Sequence, residues 1–258
     1  MSVVTCEVKE HIAYIQINRP EVLNCFNYET LDKLQETVDS IHHDPNVRVA
    51  IFTGSGDKAF SAGADLKERK TLTEAQVRRN VKKIRDVFNA IAELPYPTIA
   101  AVNGYAFGGG FELMLACDFR ISVEHAKMGL TELSWAIIPG AGGTQRLPRL
   151  IGETKAKELI FTAKKIDTQE AYEIGLLTKV VSSEELMEAC EALAKDMMKT
   201  GPIALQQAKY AIQNGMGVDL QTGLAIEAKA YEVIIPTEDR IEALLAFSER
   251  REPNFKGK

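Results

Sequence analysis

The chain has 258 residues, of which 45% are hydrophobic and 26% charged, a composition that suits an ordinary globular protein able to bury a large core. Its net charge of −5 gives no general reason to expect nucleic acid or an anionic membrane as partner. Cys6, Cys25, Cys117 and Cys190 form no C-x-x-C pair, the four histidines lack zinc-ligand spacing, no apolar run approaches a membrane span, and the N-terminal residues resemble neither signal nor transit peptide, so the expectation is a cytoplasmic protein with reduced thiols and no metal site.

In chain order, residues 3–8 and 12–17 alternate as two strands of a hairpin, ending at Asn18-Arg19-Pro20. Residues 28–41 place Leu31, Leu34, Val38 and Ile41 at helical spacing behind Asn27, a suitable N-cap. Residues 47–53 form a buried strand that runs into Gly54-Ser55-Gly56. Strand, helix and strand in this order predict an α/β fold with right-handed crossovers.

Next comes Lys58-Ala59-Phe60-Ser61-Ala62-Gly63-Ala64-Asp65-Leu66, before a helical region that includes residues 77–94. Its Phe60-x-x-Gly63-x-Asp65-Leu66 pattern returns as Phe107-x-x-Gly110-x-Glu112-Leu113 after the short apolar strand 98–102. A helix that begins near Gly109 leaves its first N–H groups without partners at the positive end of the helix dipole. Two such turns on one sheet would present two amides to a single anionic oxygen, with Glu112 placed to move a proton. The same residues also fit a plain strand-to-helix turn, a helix cap at Asp65 and an exposed first-turn glutamate, and the glycines alone do not choose.

Residues 118–123 form another strand, and Lys127-Met-Gly-Leu-Thr-Glu132 brings a second carboxylate among apolar neighbours. Ile137-Ile-Pro-Gly-Ala-Gly-Gly-Thr-Gln-Arg-Leu147 is a second glycine-rich loop, with neither the ending of a Walker phosphate loop nor a dinucleotide fingerprint. Helical patterns dominate from residue 153, with a short strand expected at 176–181 and a boundary near residue 198. Leu224, Ile226, Leu244, Leu245 and Phe247 read as core or interface positions of a helical appendage.

Taken together, Phe60-Ser-Ala-Gly-Ala-Asp-Leu66, Asn103-Gly-Tyr-Ala-Phe-Gly-Gly-Gly-Phe-Glu112 and Ile138-Pro-Gly-Ala-Gly-Gly-Thr-Gln-Arg-Leu147 strongly resemble the enoyl-CoA hydratase (crotonase) superfamily. Asp65-Leu-Lys-Glu-Arg69, Lys127-Met-Gly-Leu130 and Thr222-Gly-Leu-Ala-Ile-Glu227 are most similar to its 3-methylglutaconyl-CoA hydratases. The resemblance implies a spiral of ββα turns over residues 1–198 and a helical trimerisation region over 199–258, assembled as a homotrimer or a dimer of trimers. It also implies that the amides of Ala64 and Gly109 hold a thioester oxygen while Glu112 activates water and Glu132 delivers a proton to the α-carbon. Coenzyme A is then part of the substrate, with no separate cofactor. Its contacts are expected near Val22, Asn24, Ala62, Asp65, Leu66, Lys67 and Gly108, with Lys58, Lys67, Lys256 and Lys258 as candidate cations for its phosphates.

The implied reaction is hydration of a short-chain enoyl-CoA, with 3-methylglutaconyl-CoA hydration in leucine breakdown as the nearest alternative. An enoyl-CoA isomerase is disfavoured by the presence of both glutamates. RNA binding, known among methylglutaconyl-CoA hydratase relatives, is disfavoured because the first helix sets Lys33 against Glu29, Asp32, Glu36 and Asp39.

Overall fold

The apolar alternation of the N-terminus closes an antiparallel hairpin of β1 (Val4–Lys9) and β2 (Ile12–Ile17), in register from Val4 opposite Ile17 to Lys9 opposite Ile12. The computed structural model describes residues 2–258 and divides the chain into two units, one comprising the sequence to Leu94 together with Thr98–Glu191, the other Pro95–Pro97 with Ala192–Lys258.

In the first unit, α1 (Tyr28–His42) begins where the Asn27 side chain accepts the Thr30 N–H at 2.9 Å, and it buries Leu31, Leu34, Val38 and Ile41. Three passes of the chain then repeat one plan. The first is β3 (Val49–Gly54), β4 (Ala59–Ser61), α2 (Leu66–Arg69) and α3 (Glu74–Ala92). The second is β5 (Thr98–Val102), β6 (Tyr105–Phe107) and α4 (Gly109–Ala116), and the third opens with β7 (Phe119–Val123) and β8 (Lys127–Gly129). After a tight 3-10 turn at Glu132–Trp135 come α5 (Gly143–Ile151), α6 (Glu153–Phe161), β9 (Ile166–Asp167), α7 (Thr168–Glu173) and β10 (Lys179–Val181).

Each pass gives its first strand to a six-stranded sheet ordered β1-β2-β3-β5-β7-β10 and its second to a four-stranded sheet ordered β4-β6-β8-β9. The strands β2 through β10 of the larger sheet run parallel, which explains why β5 is buried at every position and reads as a continuous apolar run. Because β4 and β6 are neighbours, the glycine turns that leave them come out side by side. Gly110 is required there: a β-carbon on it would lie 2.0 Å from the Ser61 carbonyl oxygen.

The helical region expected to include residues 77–94 is a single helix from Glu74 to Ala92, its start set by a reciprocal capping box between Thr73 and Gln76. One element differs from expectation for a local reason. The strand expected from residue 176 shortens to β10, because the N–H groups of Leu176 and Leu177 turn back to the Ala171 carbonyl and close α7.

The helix α8 (Leu186–Met198) begins in the first unit and ends in the second, which also contains α9 (Pro202–Gly215), α10 (Leu220–Ile234) and α11 (Glu238–Glu249). A β-carbon on Gly223 would lie 3.3 Å from the Gly215 carbonyl oxygen, so the missing side chains let α9 and α10 approach closely. Buried Asp239 accepts the N–H groups of Lys256 (2.6 Å) and Gly257 (2.8 Å), fastening the last residues to the start of α11. Leu224, Leu244, Leu245 and Phe247 are exposed on this chain. Among the described residues no helix is long and apolar enough to cross a membrane, and no cluster of three or more histidine, cysteine or carboxylate side chains forms a metal site.

Candidate active site

Among the backbone N–H groups at the exits of β4 and β6 that donate no hydrogen bond among the described residues are those of Ala64 and Gly109. Ala64 forms a single parallel bridge with Phe26, in which Phe26 donates to Gly63 and Asp65 donates to Phe26. The N–H of Ala64 itself therefore faces away from that contact. Gly109 opens α4, where the first N–H groups lack intrahelical acceptors and carry the positive end of the helix dipole. The two turns touch, since a β-carbon added to Gly63 would come within 3.0 Å of the Gly109 nitrogen. Two free donors side by side at a helix start form a binding place for an oxygen that gains negative charge.

Both glutamates lie beside this pair, in different surroundings. Glu112, in the first turn of α4 and 3% exposed, accepts the N–H groups of Ala141 and Gly143 at its Oε1, each at 2.8 Å. Burial raises its carboxyl group above the ordinary glutamate value, and those two donors with the charge of Arg146 limit the rise. Arg146 also fixes the donors: its guanidinium gives one hydrogen bond to the Ala141 carbonyl at 3.0 Å and another to Asn89 of α3 at 2.7 Å.

Glu132 begins the 3-10 turn after β8, and its carboxylate sits against Gly108, whose φ of +52° suits a residue without a side chain. A β-carbon there would lie 3.3 Å from Glu132 Oε1. Its Oε2 is buried and has no hydrogen-bond partner among the described residues. Burial first, and the negative charge of Glu112 second, push its carboxyl group up to about 7. The pair thus comprises one carboxyl group held by two N–H donors and one with a donorless oxygen that keeps its proton to a higher pH than an ordinary glutamate.

A cavity of about 1160 Å³ is lined by Ala64, Gly109, Glu112 and Glu132 together with Val22, Ala62, Asp65, Leu66, Lys67 and Gly108. Asn24, expected near coenzyme A, does not line it. That side chain is fully buried, accepting the Arg19 N–H and donating to the carbonyls of Ser55 and Ala59, and so braces the loop that carries Val22. Asp65 lines the cavity and is also a cap and an ion-pair partner: it accepts the N–H groups of Lys67 and Glu68 and pairs with Arg19 at 3.1 Å. Of the candidate cations, Lys67 lines the cavity, Lys58 does not, and Lys256 and Lys258 belong to the second unit.

Several lining residues have no role legible in the sequence. The loop 139–143 lacks the ending of a phosphate loop, yet it shares the signature of the β6 turn, glycines ahead of a helix, and its amides hold Glu112. Val77, Val81, Ile84 and Arg85 recur on one face of α3 with helical spacing and form a wall of the cavity, and Arg69 at the end of α2 joins them.

The surroundings of these residues match known proteins along the whole chain. The family model for enoyl-CoA hydratase/isomerase matches residues 7–258. A crystal structure of enoyl-CoA hydratase from Bacillus anthracis superposes with a TM-score of 0.97 at 50% identity, covering 99% of this chain and all of that one. The human mitochondrial methylglutaconyl-CoA hydratase is 48% identical over 97% of this chain and 75% of its own length. Crotonyl-CoA hydratase of Syntrophomonas wolfei is 42% identical over 96% of each. With the ββα spiral, the glycine turns and end-to-end similarity in agreement, the chain belongs to the enoyl-CoA hydratase/isomerase family, the crotonase superfamily.

Proposed function

We propose that the protein is a hydro-lyase that adds water reversibly across the α,β double bond of a short-chain enoyl-CoA thioester. The observation that carries this reading is the placement of two unengaged amides and two differently held glutamates around one cavity. The amides of Ala64 and Gly109 take the thioester oxygen and stabilise the enolate that forms when the β-carbon is attacked. Glu112 accepts a proton from the attacking water as the C–O bond forms at the β-carbon, and Glu132 gives its proton to the α-carbon as the enolate collapses. The proton lost by Glu132 is balanced by the one gained by Glu112, and dehydration reverses both transfers. Relocating a double bond needs only one carrier to move a proton between two carbons, so the second carboxyl group favours hydration.

The coenzyme A portion is bound as part of the substrate, along Val22, Ala62, Leu66 and Lys67, with Lys67 toward its phosphates. The exposed apolar side chains of the helical unit, Phe247 at 86% and Leu244 at 62% exposure among them, support assembly as a homotrimer or a dimer of trimers, which sedimentation would test. Purified protein mixed with crotonyl-CoA should bleach the conjugated-enoyl absorbance, and Glu112→Gln should remove that change. Full activity in the variant would sink the assignment of roles.

A further inference from the structure

Resting on the reading above, we infer that Arg19, which does not line the cavity, is a positioning residue of the oxyanion pair. Its guanidinium aims and polarises the Ala64 N–H through two peptide groups in series.

The two amides draw on different support. Gly109 opens α4, whose eight residues are all buried, so its N–H is fixed by packing and carries the positive end of a helix dipole. Ala64 is followed at one residue's distance by α2, which has four residues and buries none of them. A helix that short has little dipole to offer, and it presses no side chain into the core that would set the turn.

The Ala64 N–H is held from behind by a chain of peptide groups instead. It belongs to the Gly63–Ala64 peptide, in which a trans bond points the N–H opposite to the C=O. The Gly63 carbonyl accepts the Phe26 N–H at 2.8 Å. That N–H belongs in turn to the Cys25–Phe26 peptide, whose carbonyl accepts Arg19 Nη1 at 2.7 Å. The order is therefore guanidinium, peptide, peptide, and then the open N–H that meets the thioester oxygen. Accepting a hydrogen bond at its oxygen makes a peptide a stronger donor at its nitrogen, by roughly 10–30% per bond. A cation at the head of the chain is the strongest start such a series can have.

Arg19 itself is fixed. Its Nη2 donates to Asp65 Oδ2 at 3.1 Å, and the two side chains are only 14% and 10% exposed. Asp65 cannot turn away, because its other oxygen accepts the N–H groups of Lys67 and Glu68 and its own N–H returns to the Phe26 carbonyl. The Arg19 backbone also closes the loop: its N–H donates to Asn24 Oδ1 at 3.0 Å, and its carbonyl accepts the Asn24 N–H at 2.9 Å. Leu23 and Asn24 within that loop have left-handed φ of +54° and +55°, a conformation that such residues keep only where their surroundings impose it. One guanidinium fork thus spans the loop at Cys25 and the turn at Asp65, a geometry that a lysine ammonium does not reproduce.

The test reads the carbonyl of a bound thioester that cannot be hydrated, butyryl-CoA isotopically labelled at the thioester carbon, by difference infrared spectroscopy. Binding to the wild-type protein should lower the carbonyl stretching frequency, because the two amides polarise the C=O. Arg19→Met should return the bound frequency part of the way to that of free butyryl-CoA. Arg19→Gln, which keeps a donor without the charge, should fall between, and Arg19→Lys should restore part of the shift. Crotonyl-CoA turnover should drop about 10–100-fold in Arg19→Met, with KM changed by less than about threefold, since Arg19 acts on the reacting oxygen and not on substrate contacts. Melting curves separate a merely structural role: an Arg19→Met protein that melts earlier but keeps the wild-type frequency and turnover per folded molecule would overturn the inference. If Arg19→Met does not fold, Arg19→Gln decides by the same criterion. A wild-type protein that binds butyryl-CoA without lowering the frequency would remove the oxyanion pair and the inference with it. The hydration reading is judged separately: a protein that polarises bound butyryl-CoA through Arg19 but leaves crotonyl-CoA unchanged keeps the relay and loses the proposed reaction.

Discussion

Glu112 and Glu132 face the same cavity with opposite support. Around Glu112 burial raises the carboxyl group, and the Ala141 and Gly143 amides with the Arg146 guanidinium work against that rise and favour its ionised form. Around Glu132 the chain offers burial, a neighbouring negative charge and an oxygen without a donor. In the proposed reaction the same side chain thus serves as a base in one place and as an acid in the other. This separation comes from backbone placement more than from residue type.

The comparison is broken most directly by removing each titration in turn. Glu112→Gln and Glu132→Gln should each lower turnover by ~10²–10⁴-fold, with KM for crotonyl-CoA changed far less, because the oxyanion amides remain. If the roles differ as described, the pH profiles of the residual rates will differ too. Wild-type hydration should fall as pH rises above about 7, where Glu132 loses its proton, and Glu132→Gln should lack that alkaline limb.

A smaller effect tests the support of Glu112. Arg146→Met removes a positive charge and two hydrogen bonds from the loop that positions its donors. Turnover should drop by about 10–100-fold, as expected for modest misplacement of a catalytic group. The acid limb of the profile should move to higher pH, because Glu112 becomes easier to protonate. A purely structural loss would lower the rate at every pH and leave that limb in place.

The smallest effect is on stability. Protonated Glu132 is favoured in the folded protein, so its contribution is fully present below the unfolded value of 4.5 and is lost as pH rises through about 7. Above that pH, ionised Glu132 costs on the order of 3 kcal/mol. Glu132→Gln should therefore raise the denaturation midpoint at pH 8.5, with the gain fading toward pH 4.5. A variant less stable than wild type at pH 8.5 would mean that Glu132 has a donor in solution and is not the strained acid of the pair.

Much of the local structure was legible because it follows from neighbours in sequence. The hairpin of β1 and β2, the Asn27 cap of α1 and the apolar run of β5 need only alternation, helical spacing and capping chemistry. The glycine turns and both glutamates were legible as motifs, since closeness of backbone requires glycine and a lone carboxylate in an apolar helix stands out. Asn24 was harder: an asparagine in a loop reads equally well as a ligand contact or a brace, and only the buried carbonyls of Ser55 and Ala59 decide for the brace. The boundary placed near residue 198 rests on the switch to amphipathic helices without a sheet partner; the division of contacts lies within α8 and also takes Pro95–Pro97 with the helices, because contacts between segments distant in sequence leave no mark in the pattern.

Sequence by itself therefore determined the order of the larger sheet's strands, the two carboxylates and the amide-bearing turns, because each is set by residue type and spacing within a short stretch, whereas the short strands β4, β6, β8 and β9 carry no such pattern. Tertiary structure alone decided that Ala64 lies beside Gly109, that the loop 139–143 grips Glu112 while Glu132 Oε2 is left without a donor, and that Arg69 and Arg85 line one cavity. The reason is physical: hydrogen-bond supply, burial and the field of distant charges belong to groups that the parallel strand order brings together from far apart in the chain.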